Sequence, residues 1–136
     1  MSGPAVPALC NEVVLERPTI AAKVAELGAT LAERYEGKDL RLVTVLRGGL
    51  FFLADLARAI DAPLAIDFLG IAPYRPGQGG VAQLTKDLSD DIHGASVVLV
   101  EDVVDTGLTV HYVSRLLQAH EPDSFEICAL LDKPAR

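Results

Sequence analysis

The chain has 136 residues, half of them apolar, with a formal net charge of −7 and a sequence pI of about 4.8. That length fits one domain with a substantial core. The acidic balance argues against nonspecific binding to nucleic acid, which needs basic surface, and no apolar run is long enough for a transmembrane helix.

Residues 1–10, Met-Ser-Gly-Pro-Ala-Val-Pro-Ala-Leu-Cys, read as a loose leader without the basic-then-apolar order of a signal peptide. Pro18 suits the first turn of a helix running to about Tyr35, with Ile20, Val24, Leu27 and Leu31 at helical spacing and Gly37 as its stop. Leu40 to Leu46 reads as a strand, broken by Gly48-Gly49. Leu50 to Ile60 reads as a helix apolar on most sides, suited to the core or to a subunit interface. A second strand spans Leu64 to Ile71. Residues 72–82, with two Pro and three Gly, are expected to form a mobile loop. Val97 to Val100 is a strand buried on both faces, Val110 to Ala119 a helix ending near Pro122, and Phe125 to Leu131 another buried strand.

Strand and helix alternate, which predicts an α/β fold: one parallel sheet flanked by helices on both faces. In such sheets ligands bind at the carboxyl ends of the strands. The chemistry-bearing residues fall there. Leu46-Arg47-Gly48-Gly49 follows a strand directly, and its two glycines let the backbone approach a ligand closely. Glu101 and Asp102 end the Val97–Val100 run, and Asp105-Thr106-Gly107-Leu108-Thr109 leads into the next helix. That turn can offer backbone N–H groups and hydroxyls to a phosphate, helped by the positive end of the helix. The two carboxylates suit neutral hydroxyls, a metal ion or a proton. Together they suggest a phosphate carried on a sugar, with a carboxylate near the reacting carbon. An acidic turn with Thr109 as helix N-cap is the structural alternative.

The two cysteines, Cys10 and Cys128, lack metal-type spacing, and a reduced, cytoplasmic protein is expected. His93, His111 and His120 have no second ligand at metal spacing and read as surface or helix residues. Arg47, Arg75, Lys86 and Lys133 are candidate donors to a polyanionic substrate.

The segment Glu101-Asp102-Val103-Val104-Asp105-Thr106-Gly107-Leu108-Thr109 resembles the 5-phosphoribosyl-1-pyrophosphate (PRPP) signature of the type I phosphoribosyltransferases, in its hypoxanthine-guanine form. Three further landmarks extend the resemblance over roughly residues 11–136: the Leu46–Gly49 loop, the Pro- and Gly-rich segment 72–80, and Leu131-Asp132-Lys133-Pro134-Ala135-Arg136. The resemblance implies a single phosphoribosyltransferase core over residues 1–136. The C-terminal part that covers the base in this branch is expected to be missing.

It implies transfer of ribose 5-phosphate from PRPP to hypoxanthine or guanine, giving a purine nucleoside monophosphate and pyrophosphate. Other transferases of the fold, using xanthine or a pyrimidine, and a noncatalytic sensor of PRPP or nucleotides are the rival readings. By resemblance, Leu46, Arg47, Gly48 and Gly49 form the pyrophosphate loop, with the Leu46–Arg47 peptide cis. Glu101 and Asp102 engage the ribose hydroxyls directly or through Mg²⁺. Asp105 is the general base, and Thr106, Gly107, Leu108 and Thr109 hold the 5′-phosphate with it. Tyr74 belongs to a catalytic lid, in which Pro73 replaces the Ser common in this branch. Lys133 donates to O6 of a 6-oxopurine. A homodimer or homotetramer is implied, with neither nucleic acid nor membrane as partner.

Overall fold

The structure, a computed structural model, describes residues 15–72, 83–104 and 108–132. Helix α1 (Arg17–Arg34) leads to strand β1 (Leu40–Leu46), helix α2 (Leu50–Ala59), strands β2 (Ala65–Ala72), β3 (Gln83–Lys86) and β4 (Ser96–Val104), helix α3 (Leu108–Gln118) and strand β5 (Ser124–Asp132). The strands form one sheet in the order β3-β2-β1-β4-β5. β2, β1, β4 and β5 are parallel, and β3 runs antiparallel to β2 at the edge. The expected parallel sheet flanked by helices is present, and the short antiparallel strand β3 is added at its edge. β3 escapes a pattern-based reading because it has four residues and a single inward apolar side chain, Leu84, held by tertiary context.

Alternation along the strands divides the core in two. Leu40, Leu42, Val98, Val100 and Cys128 face α1 and α2, where they meet Val24, Leu31, Phe52, Leu53 and Leu56. Val43, Leu69, Val97 and Leu99 face the other way, onto Val113 and Leu117 of α3 and onto Ile92 and Ala95. Both faces of the central strands are therefore apolar, as a parallel sheet covered on both sides requires. Phe52, Leu53 and Leu56 of α2 point inward, but Phe51 is 81% exposed, so this helix is not buried all round.

Close packing explains three small or polar positions. A Cβ on Gly28 would stand 2.5 Å from the Ala59 carbonyl oxygen, so glycine sets how closely α1 and α2 cross. A Cβ on Gly70 would stand 2.7 Å from Thr85 Oγ1, which lets β3 lie against β2 where their register shifts. Asp67, buried on β2, accepts from the backbone amides of Phe68, Ser89 and Asp90 at 2.8–3.1 Å and thereby fixes the turn that precedes β4. Burial raises the pKa of this carboxyl, but those amides and the nearby Lys86 outweigh burial and hold it below the usual value.

Tyr35 ends α1 and donates its hydroxyl to the Glu126 carboxylate, which Arg34 also grips. This ties α1 to β5. Burial, reinforced by Glu126, pushes the Tyr35 pKa up. Among the described residues, no helix is long and apolar enough to cross a membrane.

Overpacking a tight crossing costs about 1–3 kcal/mol. Gly28→Ala is expected to lower stability by that amount in denaturant unfolding. An unchanged midpoint would mean that the α1–α2 crossing has slack.

Candidate functional site

β1 and β4 pair from Leu40↔Ser96 to Val43↔Leu99 and no further. Both strands continue, β1 to Leu46 along β2 and β4 to Val104 along β5. The sheet thus opens between its two central strands at their carboxyl ends. The chain leaves β1 for α2 on one face and β4 for α3 on the other, which makes this opening the topological switch point of the sheet.

The Leu46–Gly49 turn forms one side of the opening. Leu46 closes β1, Arg47 and Gly48 are exposed, and Gly49 is the N-cap residue of α2. The Leu46–Arg47 peptide is cis, as the resemblance implied. Leu50 N donates to Arg47 O at 3.2 Å and Leu53 N to Gly49 O at 2.9 Å, locking the turn to the helix. Among the described residues, nothing accepts from the N–H groups of Gly48 and Gly49, which leaves them available at the positive end of α2.

Glu101 and Asp102 form the other side. Alternation along β4 sends Glu101 toward the α3 face and Asp102 toward the α2 face. Both are half-buried. Asp102 Oδ1 accepts from the Val103 amide at 2.8 Å, whereas Glu101 Oε1 is buried with no hydrogen-bond partner among the described residues. Burial, and secondly the charge of Asp102 beside it, push the Glu101 carboxyl up to about 7. Relief would come from ligand hydroxyls or from a cation. The described residues hold no cluster of three metal-ligating side chains, so a metal would have to complete its shell with ligand oxygens or water. Two hard carboxylates and an orphaned oxygen fit Mg²⁺, which commonly takes one or two carboxylates and leaves the rest to phosphates and water.

Leu108 begins α3, and Thr109 is exposed within its first turn rather than capping it. Tyr74, Asp105, Thr106, Gly107 and Lys133, together with the expected loop around Arg75, lie outside the described residues. Lys86 is already engaged within the fold: its Nζ donates to Asp87 O at 2.9 Å, Phe68 O at 3.2 Å and Ser89 Oγ at 3.2 Å, and serves the Asp67 turn, so the expected role as donor to a substrate does not hold. His93, His111 and His120 are all exposed, as expected.

One residue at the opening went unnoticed in the sequence. Thr44 is fully buried on β1, and its hydroxyl donates to the Val100 carbonyl at 2.7 Å, just beyond the last β1–β4 pair. Gly49 rests directly on the same hydroxyl, and a Cβ there would collide with it. The available signal was a single hydroxyl residue inside the apolar run Leu-Arg-Leu-Val-Thr-Val-Leu.

A glycine turn and a carboxylate pair across the switch point of a mostly parallel sheet define a type I phosphoribosyltransferase fold. Residues 11–136 match the family model described as "Phosphoribosyl transferase domain", and the chain belongs to that family. It is 42% identical over 132 residues to the hypoxanthine-guanine phosphoribosyltransferase of Mycobacterium tuberculosis (strain H37Rv), covering 91% of this chain and 65% of that protein. The fold matches a crystal structure of a Staphylococcus aureus hypoxanthine phosphoribosyltransferase with a TM-score of 0.86 at 39% identity, covering 91% of this chain and 68% of that one. It also matches the Trypanosoma cruzi hypoxanthine phosphoribosyltransferase in complex with the product IMP, with a TM-score of 0.87 at 28% identity over 96% of this chain and 75% of that one. The chain thus spans about two thirds of the length of the mycobacterial relative.

The raised Glu101 carboxyl gives stability a definite pH dependence. The folded state holds this proton more tightly than the unfolded chain, whose value is near 4.5. The stabilisation from protonation is complete below that value and is lost as pH rises through about 7. Without metal or ligand, Glu101→Gln is expected to raise Tm by a few degrees at about pH 8, with the gap closing toward about pH 5. A gap independent of pH, measured by calorimetry, would contradict the burial of this charge.

Proposed function

We propose that the chain transfers ribose 5-phosphate from PRPP to N9 of hypoxanthine or guanine, in purine salvage. The observation that carries this reading is the opening between β1 and β4, with glycine amides on one side and a buried Glu101 oxygen on the other that have no partner among the described residues. The mycobacterial and staphylococcal relatives bear hypoxanthine names, and the trypanosomal one holds IMP, which supports a 6-oxopurine as acceptor.

In this reading the Gly48 and Gly49 amides and the Arg47 guanidinium hold the pyrophosphate of PRPP. Glu101 and Asp102 accept hydrogen bonds from the ribose 2′- and 3′-hydroxyls, which removes the penalty of the orphaned Glu101 oxygen. Thr106 to Thr109 receive the 5′-phosphate at the N-terminus of α3. Mg²⁺ held by Glu101, Asp102 and the substrate's own oxygens would neutralise charge that develops on the departing pyrophosphate. The C1′–oxygen bond to pyrophosphate breaks, the C1′–N9 bond forms, and Asp105 takes the proton that the purine's five-membered ring gives up. The carboxylates beside the sugar stabilise its positive, oxocarbenium-like transition state. Tyr74 and its segment exclude water, which would compete for C1′. Lys133 donates to O6 and disfavours adenine, which presents an amino group there. A homodimer or homotetramer assembled through α2 fits the exposure of Phe51, and a cytoplasmic location fits the use of PRPP and a free base.

Losing a general base costs roughly 10²–10⁴-fold in rate. Asp105→Asn is expected to lose turnover by that factor, followed as pyrophosphate release with hypoxanthine and guanine, while still binding PRPP. A panel including xanthine, adenine and uracil separates the neighbouring transferases. PRPP binding with no turnover on any base would favour the sensor reading instead.

A further inference from the structure

We infer that Thr44 is a positioning residue, whose hydroxyl sets the spacing between the Leu46–Gly49 turn and the Glu101–Asp102 pair. The inference rests on the PRPP reading above and assigns a role to a residue that touches no ligand.

Two contacts converge on this one side chain. β1 and β4 stop pairing at Val43↔Leu99, so the next backbone carbonyl of β4, that of Val100, needs a donor from the β1 side. Thr44 Oγ1 supplies it at 2.7 Å in a fully buried position. The strands are held together at their point of divergence by a side chain rather than by the ladder. That carbonyl belongs to the residue immediately before Glu101. On its other flank the same oxygen is the floor on which Gly49 sits: a Cβ at Gly49 would collide with Thr44 Oγ1 and come within 3.4 Å of Val100 O. Gly49 and Leu50 open α2, so the height of the turn above β4 is fixed by one hydroxyl.

A ligand that spans the opening feels this spacing, and a ligand confined to the β4 side does not. PRPP carries a pyrophosphate for the turn and a ribose 5-phosphate for β4 and α3. Ribose 5-phosphate carries the second part alone. Loss of the Thr44 hydroxyl deprives the buried Val100 carbonyl of this donor and unties the residue under the turn from β4. It should therefore weaken the spanning ligand selectively.

The test is calorimetric titration of the full chain with PRPP and with ribose 5-phosphate, each with Mg²⁺, for wild type, Thr44→Val and Thr44→Ser. Thr44→Val keeps the shape and removes the hydroxyl, and is expected to weaken PRPP by about tenfold. Ribose 5-phosphate should stay within about twofold of wild type, and Thr44→Ser should restore most of the PRPP affinity. A Thr44→Val protein that binds PRPP as wild type does, or that loses both ligands equally, overturns the inference, since general loosening of the fold would move both.

If Thr44→Val does not fold, a cycle of Gly49→Ala, Thr44→Ala and the double variant decides. The methyl group that Gly49→Ala introduces collides with the hydroxyl only while the hydroxyl is present, so the double variant should bind PRPP no more weakly than Thr44→Ala. Additive losses would overturn the inference. A folded wild type that binds ribose 5-phosphate but shows no gain from the pyrophosphate of PRPP refutes the PRPP reading itself, and the inference with it.

Discussion

The structure depends on the point at which β1 and β4 cease to pair. Up to Val43 and Leu99 the two strands share a ladder, and their side chains fill two cores, one on each face. Beyond it each strand stays with its outer neighbour, and the chain turns away to opposite faces. Two parallel strands whose following helices lie on opposite sides leave a crevice between their carboxyl ends. The Thr44–Val100 hydrogen bond stands at the apex of that crevice, with the glycine turn on one wall and the carboxylates on the other.

The two walls carry opposite electrostatic character. Amides at the start of α2 that have no partner among the described residues favour an anion, and Glu101 with Asp102 disfavours one. A simple anion gains on one side what it loses on the other. A ligand with phosphoryl oxygens at one end and neutral hydroxyls, or a shared cation, at the other satisfies both walls at once. Burial makes the demand sharper, because the orphaned Glu101 oxygen has no protein partner among the described residues to fall back on.

Much of this organisation was legible in the sequence, for physical reasons that differ by element. The run Val97 to Val100 is apolar on both faces, so it reads as a central buried strand without any tertiary information, and Leu40 to Leu46 reads as a strand. β1 was read with its observed bounds, whereas β4 was read as ending at Val100 because the carboxylates that follow break the apolar run. Pairing with β5 carries it on to Val104. β3 was missed because Gln83 to Lys86 has no periodic signal of its own and is held by β2 and the Lys86–Asp67 turn. Arg47, Gly48 and Gly49 stand across the opening from Glu101 and Asp102, a placement the motifs could suggest but not measure. Thr44 was invisible for another reason. A threonine inside a strand reads as an ordinary β-branched residue, and its partner, Val100 O, lies 56 positions away.

The most direct measurement is a backbone amide shift map of the isotope-labelled chain titrated with PRPP and Mg²⁺. The largest changes should fall on Gly48, Gly49, Leu50, Glu101, Asp102 and Thr109, on both walls of the opening. Changes concentrated elsewhere, for example in the surface groove beside Glu33, Lys38 and Asp61, would contradict the assignment of the β1–β4 opening as the binding site.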